Sequence, residues 1–155
     1  MTTPRVHGAG ISDAGLAVIY NSPGFKDYIE SLVPSLVSSA GYESGRVSLR
    51  MDLEPALINI NKVISCGLIL NELVSNSLRH AFPEGRRGTI GIRLTVPEPD
   101  RLVLTVADDG VGLPDDVDTG QPQSLGLQIV RDLARQIDGR LEFGPPPGTT
   151  VSLFM

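Results

Sequence analysis

The stretch LILNELVSNSLRHAF, Leu68 to Phe82, decides the fold. Leu70, Leu73, Val74, Ser77, Leu78 and Ala81 recur at helical spacing, which predicts the buried stripe of an amphipathic helix. Glu72, Asn76, Arg79 and His80 stand at i, i+4, i+7 and i+8, so they form a second stripe on another face. A solvated helix face is usually built from interchangeable Lys and Glu. This row sets a carboxylate, an amide, a guanidinium and an imidazole together, and such a set can hold a metal ion, a phosphate chain and a water at once. Taken alone, it reads equally well as a half-exposed helix with mixed polar residues.

Outward from this helix, Asn59 or Asn61 is placed to cap its start. Upstream, Phe25, Tyr28, Ile29, Leu32, Val33, Leu36 and Val37 predict another helix over Phe25 to Ser39, with Pro34 expected to kink or split it and Gly41 to end it. Arg46 to Leu53 alternates as a strand. Downstream, the turn Pro83 to Gly88 leads to an alternating strand, Thr89 to Val96, and PEPD joins it to a hairpin partner, Arg101 to Ala107. Asp108 to Gln123 is a loop rich in Gly, Asp and Pro. Leu125 to Ile137 has helical spacing, with Gly139 as its C-cap, and the strands Arg140 to Phe143 and Thr149 to Phe154 flank a PPPG turn. The mixture predicts an α/β fold, a two-layer sandwich whose mixed, mostly antiparallel sheet carries helices on one face.

Composition narrows the function. The chain has 155 residues, 41% hydrophobic, with net charge −5, which suits one soluble domain over residues 24–155. Met1 to Pro23, rich in Gly, Ala and Ser, reads as an arm or the remnant of a preceding helical hairpin. No run is long enough for a membrane span and no signal-peptide pattern is present. The single cysteine, Cys66, lies in the apolar part of the central helix and reads as core, which fits a cytoplasmic location. No basic cluster is available to neutralise nucleic-acid phosphates, and the Arg86-Arg87 pair is too small.

Two loops add chemistry. In Asp108-Asp109-Gly110-Val111-Gly112 a strand delivers Leu102, Leu104 and Val106 and then stops at a carboxylate. An acceptor-only group at the floor of a pocket suits an exocyclic amino group such as that of adenine, and the glycines let backbone approach a ligand. The same letters also fit an acidic turn. A calcium loop is a poor fit, because the alternating ligands before the glycine are missing. Ser124-Leu125-Gly126-Leu127 opens a helix whose free N–H groups could take phosphate, or Ser124 could be a plain N-cap. The Walker-type loop and the dinucleotide fingerprint are both absent.

NELVSN, DDGVG, SLGL and a terminal GTTV strand, in that order, resemble the ATP-binding domain of the sensor histidine kinases, in a superfamily with DNA gyrase, a heat-shock chaperone and the mismatch-repair ATPases. LILNELVSNSLRHAFPEG is most similar to the subfamily with an Asn-Glu pair in its N-box. The resemblance covers roughly Phe25 to Met155 and implies a Bergerat-type ATP-binding fold with ATP and Mg2+ as ligands. It implies that Asn76 coordinates magnesium and that Glu72 orients or activates the attacking group. Arg79 matches a phosphate-contacting base, and His80 a side chain beside the nucleotide. Asp108 would accept from the adenine amino group, in a pocket shaped by Gly110 and Gly112. Ser124, Leu125, Gly126 and Leu127 would bind phosphates, and Thr149 or Thr150 would hydrogen-bond near adenine. Val111 to Gln123 matches a lid. The implied partners are a histidine-bearing dimerisation hairpin and, downstream, a response regulator.

The chain also departs from the family pattern. The segment before Phe25 is too short and glycine-rich for the hairpin, and His7 lacks the helical context of an acceptor. No Lys or Arg stands between Gly112 and Ser124. The reading is therefore a module that presents Mg-ATP for transfer to a histidine elsewhere and does not label itself. The alternatives are an anti-sigma-factor serine kinase of the same superfamily and a non-catalytic nucleotide-binding module.

Overall fold

The computed structural model describes residues 24–39, 45–113 and 125–155. His7, Ser124 and the larger part of the predicted lid lie outside these residues. The elements run α1 (Gly24–Ser39), β1 (Val47–Leu53), α2 (Ile60–Asn76), a π-helical turn (Ser77–Ala81), a short 3-10 turn (Pro83–Gly85), β2 (Gly88–Glu98), β3 (Arg101–Asp108), α3 (Leu125–Gln136), β4 (Arg140–Phe143) and β5 (Thr149–Phe154). The five strands form one sheet in the order β1-β2-β3-β5-β4. β1 pairs parallel with β2, and the three other ladders are antiparallel, as the mixed pattern predicted.

Period-two alternation sends one side of each strand to the core. Ile90, Ile92 and Leu94 of β2, Leu102, Leu104 and Val106 of β3, and Val151 and Leu153 of β5 are buried. The helices meet them with Phe25, Ile29 and Val33 from α1, Ile69, Leu70, Leu73 and Val74 from α2, and Val130 and Ala134 from α3. α2 packs against both other helices and is the axis of that layer. Asn59 is its N-cap, and the side chain accepts from the Asn61 N–H at 2.8 Å. Such a cap is worth about 1 kcal/mol.

Three local expectations change. α1 is continuous through Pro34. The N–H that proline lacks would have bonded the carbonyl of Glu30, a residue on the exposed side of the helix, and the loss of that one bond does not split it. α2 does not reach Phe82 as an α-helix, because it widens into the π-helical turn at Ser77. An Arg46 Nη donates to the carbonyl of Phe82 at 2.7 Å and closes that end. After α3 the left-handed residue is Asp138 (φ 55°), while the Gly139 N–H donates to the Ala134 carbonyl at 2.7 Å.

Candidate functional site

The alternation that builds the core also builds the site. Leu102, Leu104 and Val106 point inward from β3, and the next residue in phase is Asp108. A carboxylate therefore takes a core position, and it is only 8% exposed. Burying such a group requires hydrogen-bond donors around it. Its Oδ1 accepts from the backbone N–H of Gly110 at 3.0 Å and of Thr149 at 3.2 Å, and its Oδ2 accepts from Ser77 Oγ at 2.7 Å. The neighbouring Asp109 has a different task. Its Oδ1 accepts from the Thr89 N–H at 2.7 Å, and its carbonyl accepts from an Arg86 Nη at 3.0 Å.

Asp108 opens onto a cleft of about 470 Å³, within the range of small-molecule sites. Apolar walls come from Leu73, Val106, Leu127, Phe143 and Val151. Val111 and Leu113 border the cleft while staying partly exposed. The polar groups are few: Asn76, Ser77, His80, Asp108 and Thr149. A flat apolar body with a polar edge fits this lining, the edge against Asp108 and the faces against aliphatic side chains.

Glycines allow the close approaches. A Cβ on Gly110 would meet the Ala81 carbonyl, and a Cβ on Gly148 would meet that of Asp108. Gly112 lies beside the Gly148 carbonyl with φ of 80°, a conformation that glycine tolerates.

The polar row of the central helix divides. Asn76 and His80 line the cleft, whereas Glu72 and Arg79 line a neighbouring depression of about 700 Å³, together with Leu125 and Gly126. Residues spread over i to i+8 cover a wide arc, and the π-helical turn after Asn76 alters their phase further. Gly126, in the second depression, lies close to Glu72 and to Asn76 of the cleft. A Cβ there would stand 2.8 Å from Glu72 Oε2 and 3.8 Å from both terminal atoms of the Asn76 amide. Arg79 reaches back along the helix, and its Nη donates to Asn76 Oδ1 at 3.0 Å. The Asn76 amide oxygen thus already faces a cation.

Thr149 and Thr150 also separate. Thr149 is in phase with Val151 and borders the cleft, while Thr150 packs beside Gly144. Leu125 is 72% exposed, in contrast to the buried Leu127 two residues on. Ser77 is the residue whose part in the site sequence reasoning missed, since helical spacing marks it only as a member of the buried stripe. A hydroxyl within an aliphatic stripe needs a partner, and that requirement was the available signal.

Among the described residues no group of three or more His, Cys, Asp and Glu side chains could hold a metal ion by itself. One neutral amide oxygen fits magnesium, which keeps waters and takes most of its charge from substrate phosphates. No helix among the described residues is long and apolar enough to cross a membrane.

Residues 61–155 match the family described as histidine kinase-, DNA gyrase B-, and HSP90-like ATPase, and the chain belongs to that family. It is 29% identical over 108 residues to blue-light-activated histidine kinase 2 of Erythrobacter litoralis, covering 68% of this chain and 31% of that protein. It is 41% identical over 76 residues to the sensor histidine kinase PdtaS of Mycobacterium tuberculosis, covering 48% of this chain and 15% of that one. The chain thus spans at most about a third of these relatives' length. Among solved structures, the histidine kinase domain of an Erythrobacter litoralis blue-light-activated histidine kinase superposes with a TM-score of 0.76 at 26% identity, over 84% of this chain and 60% of that one.

Proposed function

We propose that this chain is the ATP-binding catalytic module of a histidine kinase, presenting Mg-ATP for γ-phosphoryl transfer to a histidine on a dimerisation hairpin. The observation that carries the reading is Asp108, a buried carboxylate surrounded by donors at the floor of an apolar cleft. It supplies an acceptor where adenine has an amino group. Leu73, Leu127 and Val151 would hold the base. Asn76 would hold magnesium, which when bound neutralises phosphate charge and orients the chain of phosphates. Arg79, now bonded to Asn76, is long enough to turn to a phosphate oxygen.

Glu72 lies against Gly126 in the depression beside the cleft. A carboxylate there can polarise an imidazole that enters from the depression, while the nucleotide fills the cleft. Phosphoryl transfer depends mainly on holding the acceptor in line and on stabilising charge, and this division of labour supplies both. The whole protein would then pass its phosphoryl group to a response regulator, in the cytoplasm where ATP is abundant.

The test uses radiolabelled ATP with the chain and a histidine-bearing hairpin, joined in cis or added as a separate chain. Acid-labile, base-stable phosphate on the hairpin histidine is the expected product. Phosphoserine on an added anti-sigma antagonist, with no phosphohistidine, would move the assignment to a serine kinase.

A further inference from the structure

We infer that Ser77 is a specificity-determining residue of the nucleotide site: its hydroxyl makes the floor of the cleft a two-acceptor surface that selects a purine bearing a 6-amino group. The inference rests on the adenine reading of the cleft and extends it to a residue outside the motif that suggested that reading.

The argument is a count of protons. A carboxylate can only accept, and a serine hydroxyl has one proton to donate and two lone pairs. Asp108 Oδ1 already receives two backbone N–H groups, from Gly110 and Thr149. Ser77 spends its one proton on Oδ2 at 2.7 Å. Both residues are buried, at 7% and 8% exposure, and both border the cleft. What this pair leaves to a ligand is therefore the spare lone pairs of Oδ2 and of Ser77 Oγ. An amino group meets two acceptors there. A 6-oxo group meets the same two acceptors with an oxygen. It could gain a donor from this pair only if the hydroxyl turned away from Asp108, which would leave the buried carboxylate short of a partner.

Ordinary α-helical geometry brings Ser77 to this place, because its backbone is right-handed helical and its N–H still bonds the carbonyls of Leu73 and Val74. It continues the buried stripe of Leu70, Leu73 and Val74 to the end of β3, and the wider turn starts only from there. Asn76 and Ser77 are thus adjacent in sequence with separate roles, one toward the metal and phosphates and the other toward the base.

The experiment measures affinities for ATP, GTP and purine riboside triphosphate, which lacks the 6-amino group, in magnesium buffer with the chain, Ser77→Ala and Ser77→Thr. Each preference is a ratio taken within one variant, so any loss of folded protein cancels. The chain should prefer ATP over the unsubstituted purine. Ser77→Ala should lose about three- to ten-fold of that preference, the scale of one hydrogen bond between neutral partners. Ser77→Thr, which keeps the hydroxyl, should retain it. An unchanged preference in Ser77→Ala, or an equal loss in Ser77→Thr, would overturn the role of the hydroxyl while leaving the adenine reading intact. Equal binding of ATP and the unsubstituted purine by the unaltered chain would overturn the adenine reading itself, and this inference with it.

Discussion

The backbone N–H of Val111 donates to the carbonyl of Ala81 at 2.9 Å, tying the glycine loop after β3 to the π-helical end of the central helix. The contact works because Gly110, one residue earlier, has no Cβ to strike that same carbonyl. Gly110→Ala should therefore push loop and helix apart. We expect a loss of about 1–3 kcal/mol of stability, the usual cost of overpacking, and a larger fractional loss of ATP affinity than of folded protein. Urea unfolding and calorimetry on the same sample measure the two.

Asp108→Asn should spare the fold and damage binding. An asparagine oxygen can still accept the N–H groups of Gly110 and Thr149, but its amide nitrogen would face Ser77 and the base with donors. An unpaired buried polar group costs about 1–3 kcal/mol, so ATP affinity should fall roughly ten-fold or more. Competition by GTP, weak against the unaltered chain, should improve relative to ATP. The check is a displacement titration with both nucleotides.

Much of this was legible in residues 68–82 and in the glycine loops. Helical spacing identified the core residues Leu70, Leu73 and Val74, and alternation set Asp108 in phase with Val106. Alternation also contained the choice between Thr149 and Thr150, since Thr149 shares the phase of Val151. What the letters could not show was change of phase. SNSLRHA carries no sign that the helix widens at Ser77. The division of the row was itself legible, since at about 100° per residue Glu72 and Arg79 fall about 20° apart on one side and Asn76 and His80 about 40° apart on the other. Pro34 left open whether α1 is kinked or split, and the helix is not split. The proline's effect depends on how the rest of the helix is held, which is a property of the packed molecule.

Cys66 should be chemically silent in the folded chain. Burial pushes its thiol from 9.0 up to about 12, against a smaller lowering by Lys62. Iodoacetamide at pH 8 should label it only after unfolding. Linkage gives a second readout. The folded pKa is raised, so the associated stabilisation is fully present below the unfolded value of 9.0 and is lost as pH climbs toward about 12. The stability of the unaltered chain should therefore fall more steeply above pH 9 than that of Cys66→Ala, as followed by urea unfolding at several pH values.

Glu72→Gln should separate chemistry from binding. The side chain lies against Gly126 and borders the depression beside the cleft. Removing its charge should slow transfer to a hairpin histidine by about a hundred-fold or more, the range of general acid-base contributions. ATP affinity should change by less than about three-fold, because the carboxylate makes no bond to the base and sits outside the cleft lining. Single-turnover labelling and calorimetry, run side by side, give the two numbers.

The central claim is that one cleft holds the base on Asp108 and the metal on Asn76. Calorimetric titration of ATP with and without magnesium, on the unaltered chain and on Asn76→Ala, tests it most directly. The account predicts that magnesium strengthens binding to the chain and that Asn76→Ala loses most of this gain while still preferring ATP to GTP. Equal affinities for the chain and the variant, with and without magnesium, would contradict it.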